Sequence, residues 1–209
     1  VETYIFRRSI CEIPTNSMNK TFAEFMRFID KESYLESVKA HFHLLKTYKR
    51  FPTDDEFTAA LQTKNLYSYN LRSYLLNRIE NFGTKEPVNT DNYSIEHIMP
   101  QNEKLSEKWQ KDLGENWKQV WQQYLHTLGN LTLTGYNSEY SDRSFHEKLT
   151  MPNGFAVSPL RLNEYVKAQD TWNEFKINER AAILSDKSLL IWPGLVVKDE
   201  ILAKYAQVS

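Results

Sequence analysis

The chain has 209 residues, of which 41% are hydrophobic and 25% are charged, a composition typical of a globular protein with a buried core. No apolar stretch approaches the ~20 residues of a membrane-spanning helix, and the single cysteine excludes an internal disulfide, so we expect a cytoplasmic protein. With 26 basic and 27 acidic residues the net charge is −1, which argues against a strongly basic, stand-alone nucleic-acid binder.

The first part of the chain, residues 1–86, is predicted to form a helical lead-in region. Apolar residues recur there at helical spacing. Thr53 followed by Glu56 forms a capping-box pattern at the start of one helix, and Gly83 stands where a glycine commonly ends another. Residues 83–92 are rich in turn formers, which indicates a linker.

The pattern changes after this linker. Residues 93–99 are rich in β-favouring side chains and end before Pro100, which predicts one short strand. Residues 102–128 then predict an insertion of two helices, with Asn102 and Asn116 as their N-caps.

A second strand is predicted at residues 130–134, where apolar and polar residues alternate as in a strand that is buried on one face only. A short helix follows, with Ser141 or Asp142 as its N-cap. We therefore expect an α+β, predominantly helical fold. A strand, strand, helix centre at 87–157 lies between the lead-in and a helical C-terminal region, 158–209, that packs on it.

One group of polar side chains gathers on the two predicted strands. Glu96 and His97 precede Pro100, Asn130 lies 33 residues after His97, and Asn137 follows seven residues later. Elsewhere, His126 and His146 are interpreted as surface or interface residues. The centre at 87–157 is therefore the candidate site.

The motifs at this centre resemble those of a known nuclease family. They are His97-Ile98-Met99-Pro100-Gln101, then Gly129-Asn130-Leu131-Thr132-Leu133-Thr134, then Asn137, and finally Phe145-x-x-Lys148. Together they are similar to HNH nucleases with the ββα-metal fold. The nearest similarity is to the C-terminal nuclease domain of GmrSD-type modification-dependent restriction endonucleases, which SspE-type phage-defence nucleases share.

The resemblance implies a metal-dependent endonuclease that nicks or cleaves DNA by hydrolysing phosphodiester bonds. In that scheme His97 is the general base. Glu96 and Asn137 supply oxygen ligands for a hard divalent cation, with Mg²⁺ favoured and Mn²⁺ as the alternative. Asn130 braces the loop that joins the strands and orients His97.

Two further expectations concern the geometry of this centre. Lys148 and Arg143 are candidate contacts to substrate phosphates, with solvated surface charges as the alternative. Adjacent residues of a regular strand point to opposite faces, so Glu96 and His97 face one site only if the strand twists or bulges before Pro100. The resemblance implies such a distortion.

The expected partners are DNA and a further domain. The chain begins with a valine and its first segment has the pattern of a helix interior, so we expect a piece of a longer protein. The resemblance implies an N-terminal ParB/Srx-like nucleotide-hydrolysing domain and a role in restriction or phage resistance. Two alternatives stay open: a catalytically inactive helical interaction or regulatory module, and an RNase that uses the same site.

Overall fold

The computed structural model describes residues 1–206. These residues form an α+β fold that is mostly helical and includes one small two-stranded sheet. They divide into two compact units, the first made of 1–60 and 192–206 and the second of 61–191. Within this described part, no helix is both long and apolar enough to cross a membrane.

The first unit is built from helices. They are α1 (Glu2–Ile10), α2 (Met18–Phe25), α3 (Tyr34–Leu44), the first residues of α4 (Asp54–Thr63), and α12 (Asp199–Ala206), which packs against α3. The rings of Tyr4 and Phe42 lie 4.6 Å apart in its core. The predicted capping box is confirmed: Thr53 N donates to Glu56 Oε2 (2.9 Å) and Glu56 N donates to Thr53 Oγ1 (3.2 Å).

Two adjacent arginines of α1 are buried in this first unit. Arg7 donates to the carbonyl oxygens of Trp192 (2.8 Å) and Pro52 (3.1 Å) and to the carboxylate of Asp54 (2.5 Å). Arg8 donates to carbonyl oxygens as well. Because both guanidinium groups are enclosed and paired with oxygen acceptors, they hold the unit together and present no charge to a polyanion.

The second unit contains the remaining helices. They are α5 (Arg72–Asn81), α6 (Glu107–Leu113), α7 (Trp117–Tyr124), α8 (Asn137–Tyr140), α9 (Phe145–Thr150), α10 (Glu164–Lys167) and α11 (Glu174–Ile191). The long α11 packs against α5 and α7. The predicted lead-in, 1–86, is therefore shared between the two units, since α5 belongs with the sheet and not with α1.

The sheet pairs β1 (Ser94–His97) with β2 (Leu131–Thr134) in antiparallel register, so that His97 lies opposite Leu131. The expectation that β2 is buried on one face only was wrong, because all four of its residues are buried. Thr132 Oγ1 donates to Asn163 Oδ1 (2.6 Å), and the 3-10 helix Arg161–Asn163 covers the face expected to meet solvent.

Local signals gave several helix ends correctly and missed others. Gly83, with φ of +73°, follows α5 as predicted. The N-cap of α6 is Ser106, whereas Asn102 instead bonds a side chain 40 residues away. Asn116 stands at the N-cap of α7 but makes no side-chain cap hydrogen bond. The N-cap of α9 is Ser144, which forms a capping box with Glu147 and replaces the two residues predicted for it.

Candidate active site

Asn130 ties the segment after β1 to the start of β2. Its carbonyl oxygen accepts from Ile98 N (3.0 Å), and its side-chain Oδ1 accepts from Met99 N (2.8 Å). Its Nδ2 donates to the carbonyl oxygens of Met99 (3.0 Å) and Leu125 (2.9 Å), while Trp172 Nε1 donates to Oδ1 (3.2 Å). This fully buried amide therefore holds the chain in a single position just beyond His97.

Glu96 and Lys148 form a buried ion pair. Lys148, on α9, donates from Nζ to Glu96 Oε1 (2.5 Å) and to the carbonyl oxygen of His97 (2.9 Å). The side chain of Lys148 is 0% exposed and that of Glu96 is 4% exposed. Burial raises the pKa of Glu96 to about 6 although the charge of Lys148 opposes this, and burial also lowers the pKa of Lys148. The low-polarity surroundings thus disfavour the charge on both partners.

His97 lies against a second histidine and a tyrosine. Its Nε2 is 2.9 Å from His126 Nδ1, and the two ring centroids are 5.1 Å apart. The ring of Tyr67 meets His97 edge-on at 4.5 Å and stacks on His126 with an interplanar angle of 11°. Burial, with the nearby His126 and Lys148, lowers the pKa of His97 to about 3, so its imidazole is neutral at pH 7.

Glu96 and His97 do not face one site. The pairing of β1 with β2 runs residue for residue from Ser94 to His97, without the bulge that the resemblance implied. Successive side chains of a regular strand therefore point to opposite faces. Glu96 contacts Lys148 on one face, and His97 contacts His126 on the other.

Asn137 begins α8, directly after β2. Its Nδ2 donates to the carbonyl oxygen of Ile95 (3.0 Å), which anchors α8 to β1. No hydrogen bond among the described residues engages its Oδ1, nor the Oε2 atom of Glu96. Each of these two oxygens therefore keeps lone pairs that could bind a cation or a water molecule.

A protein-only metal cage does not form among residues 1–206, where no three His, Cys, Asp or Glu side chains converge. An amide oxygen, such as Oδ1 of Asn137, is a further kind of oxygen ligand. Carboxylate and amide oxygens are ligand types that Mg²⁺ accepts, and Mg²⁺ keeps several of its waters and takes few protein ligands. The chemistry of the donor set therefore fits a hard divalent cation.

The cationic side chains divide into buried and exposed ones. Lys148 has no exposed surface, so in this structure it is neither a phosphate contact nor a solvated charge, and it serves Glu96 instead. Arg180 is also buried and donates to the carbonyl oxygens of Gly129 (2.7 Å) and Leu131 (2.9 Å). Arg143 is exposed and lines an open groove with Glu139 and Asp142.

The sequence patterns did not single out Tyr67 or associate His126 with His97. His126 was interpreted as a surface or interface residue, and its ring is in fact half-buried against His97. Tyr67 lies in the turn before α5, which begins at Arg72. Neither residue stands in a recognisable motif, because both reach His97 only through tertiary packing.

One protein-family model matches this chain. The family model described as "GmrSD restriction endonucleases, C-terminal domain" matches residues 51–187, about two thirds of the chain. The matched range includes both strands and the side chains of Glu96, His97 and Asn130. Searches of curated proteins and of solved structures each found no significant match. The chain therefore belongs to the family of GmrSD restriction endonuclease C-terminal domains.

Proposed function

We propose that this protein is a metal-dependent endonuclease of the HNH type, which cleaves or nicks DNA as the effector part of a restriction or anti-phage defence protein. One observation carries the proposal: the family match covers the two-stranded sheet together with the histidine and the asparagines around it. The order strand, strand, helix along the chain, with β1 and β2 followed by α8 and α9, accords with a ββα centre.

In this proposal His97 is the general base that removes a proton from the attacking water. A base must be unprotonated at the working pH, and the lowered pKa of His97 meets that condition at pH 7. The negative charge of a substrate phosphate beside the ring favours the imidazolium form. Substrate binding is therefore expected to raise the basicity of His97 when the proton has to be accepted.

Glu96 and Asn137 are the residues that would hold the divalent cation, through the oxygens that have no hydrogen-bond partner in the described structure. Because Glu96 lies on the face of β1 opposite His97, the proposal requires the end of β1 to twist so that both side chains meet one phosphate. When bound, Mg²⁺ or Mn²⁺ would neutralise negative charge that develops on the scissile phosphate. Asn130 keeps the segment beyond His97 in place, which limits the positions available to the base.

The near-zero net charge is consistent with an effector whose target recognition resides elsewhere. A chain with net charge −1 gains little affinity from counterion release on DNA. We propose that a nucleotide-hydrolysing, ParB/Srx-like domain precedes this part of the protein and brings it to modified or phage DNA. Exposed Arg143 remains available as a local phosphate contact.

A supercoiled-plasmid assay tests the proposal. The wild type is compared with His97→Ala and with His43→Ala, the latter removing an exposed histidine of α3, in Mg²⁺, Mn²⁺ and EDTA. We expect metal-dependent conversion to open-circular or linear DNA by the wild type and by His43→Ala, and a loss of roughly 1,000-fold or more in His97→Ala.

Folding of each variant is verified by thermal unfolding, and each is also assayed with the upstream domain restored. No cleavage of DNA in either form would overturn the proposal. In that case a parallel assay on single-stranded RNA distinguishes an RNase from an inactive interaction module.

A further inference from the structure

A hydrogen bond between two histidine side chains is the least expected feature of the site. His97 Nε2 and His126 Nδ1 are 2.9 Å apart, so a single proton lies between them and one ring donates to the other. The direction of this bond decides which nitrogen of His97 keeps a free lone pair. It therefore bears directly on whether His97 can act as a base.

The ring of His126 is held in place from two directions. Its own carbonyl oxygen accepts from Leu66 N (2.9 Å), which fixes its backbone to the segment before α5. Its imidazole stacks on Tyr67 with centroids 5.3 Å apart. The guanidinium of Arg72 lies in turn over the ring of Tyr67, 5.7 Å from its centroid. His126 thus offers His97 a partner whose position is set by the fold.

Two arrangements of protons satisfy this geometry. In the first, His97 carries its proton on Nε2 and donates to His126 Nδ1, so both rings are in the Nε2–H form. In the second, His126 donates from Nδ1, so both rings are in the Nδ1–H form. Because the Nε2–H tautomer is the more stable form of a neutral histidine side chain in water, the first arrangement is favoured for both rings.

We propose that His126 is a positioning residue that holds His97 in the Nε2–H tautomer and directs the lone pair of His97 Nδ1 away from His126, free to accept a proton from water. No other hydrogen bond of the His97 ring occurs among the described residues, so its Nδ1 is not engaged by the protein. This inference rests on the proposed function, because it assigns His126 a task only if His97 is the base.

Two substitutions separate the hydrogen bond from the packing. His126→Asn places a side-chain oxygen close to the position of Nδ1 and keeps an acceptor for His97. His126→Phe keeps an aromatic ring against Tyr67 but has no acceptor. His43→Phe makes the same chemical change at an exposed position of α3 and serves as the control.

The first readout is independent of nuclease activity. Long-range ¹H–¹⁵N correlation spectra at neutral pH, in EDTA, report which nitrogen of His97 carries the proton, with the His97 signals assigned from a His97→Gln sample. We expect the Nε2–H form in the wild type, in His126→Asn and in His43→Phe, and a mixture of tautomers in His126→Phe. A wild-type His97 protonated on Nδ1, or one tautomer in all four proteins, would overturn the inference.

The second readout is the rate of plasmid cleavage. Loss of a residue that orients a reacting side chain commonly costs 10- to 100-fold. We expect His126→Phe to lose roughly tenfold or more, while His126→Asn stays within about threefold of the wild type. Equal rates in all variants would contradict a positioning role. If the wild type itself cleaves no DNA, the proposed function fails, while the tautomer measurement separately shows whether His126 sets the tautomer of His97.

Discussion

The two faces of β1 each bury an ionisable side chain, but in different ways. On one face Glu96 is buried as a charged group and paired with the cation of Lys148, and on the other His97 is buried as a neutral ring against His126 and Tyr67. Burial disfavours charge on both faces, raising the pKa of Glu96 to about 6 and lowering that of His97 to about 3. Adjacent positions of one short strand therefore hold an acid and a base with opposite shifts, as candidate acid and base sites often do.

The largest expected effect comes from breaking the ion pair between Glu96 and Lys148. Lys148→Met leaves Glu96 buried without its cation, and removing one partner of a buried ion pair commonly costs about 3–5 kcal/mol of stability. We expect a loss of this size in urea unfolding at pH 7 in EDTA. The double variant Glu96→Leu/Lys148→Met replaces the pair by apolar groups and should recover most of it. A single variant as stable as the wild type would show that the pair is not buried in solution.

The next effect concerns Asn130, which fixes the segment just beyond β1. Asn130→Ala removes the partners of Met99 N and of the carbonyl oxygens of Met99 and Leu125, so we expect a loss of about 3 kcal/mol. Asn137→Ala removes the hydrogen bond to the carbonyl oxygen of Ile95 and should cost about 1 kcal/mol. Chemical denaturation measures both, and equal losses would contradict the central role of Asn130.

The two faces should also respond oppositely to acid. The unfolded chain protonates His97 near its ordinary pKa of 6.5 while the folded protein does not until about pH 3, so His97 makes stability fall as the pH drops below 6.5. Glu96 takes up its proton near pH 6 when folded and near 4.5 when unfolded, so it makes stability rise over that interval as the pH drops.

Unfolding free energies at pH 7 and pH 5 in EDTA test this contrast. Relative to the wild type, we expect His97→Gln to lose about 2 kcal/mol less on acidification, and Glu96→Gln to lose about 1 kcal/mol more. The comparison uses the change between the two pH values, so it does not depend on the stability cost of each substitution itself. Changes of the same sign in both variants would refute the opposite shifts.

The smallest effect is expected from removing the ring of Tyr67, which packs against His97 and His126. Tyr67→Leu keeps apolar volume but removes the ring contacts with His97 and His126, and aromatic contacts of this type contribute about 1 kcal/mol. Tyr34→Leu, at a largely exposed ring of α3, should cost close to nothing. Thermal unfolding of the two variants measures the difference, and an equal loss in both would show that the Tyr67 contacts do not stabilise the protein.

Much of the architecture was predictable because its signals are local. The capping box at Thr53 and Glu56 and the glycine after α5 involve residues a few positions apart, where side chain and backbone interact regardless of the rest of the fold. The two strands were found from β-favouring composition and alternation. The N-caps of α6 and α9 were misplaced because several polar residues precede each helix and local pattern does not distinguish among them. Trp109 and Phe145, near the two observed helix starts, are fully buried.

The sequence by itself determined the family and the two strands, and it indicated Glu96, His97, Asn130 and Asn137 as candidate site residues. Only the tertiary structure decided the partners of these residues. Lys148 reaches Glu96 across 52 positions and His126 reaches His97 across 29, so no local pattern couples them. The packing of α9 and of the segment after α7 against the buried end of β1 brings these groups together, as an ion pair on one face and a hydrogen bond between two imidazoles on the other.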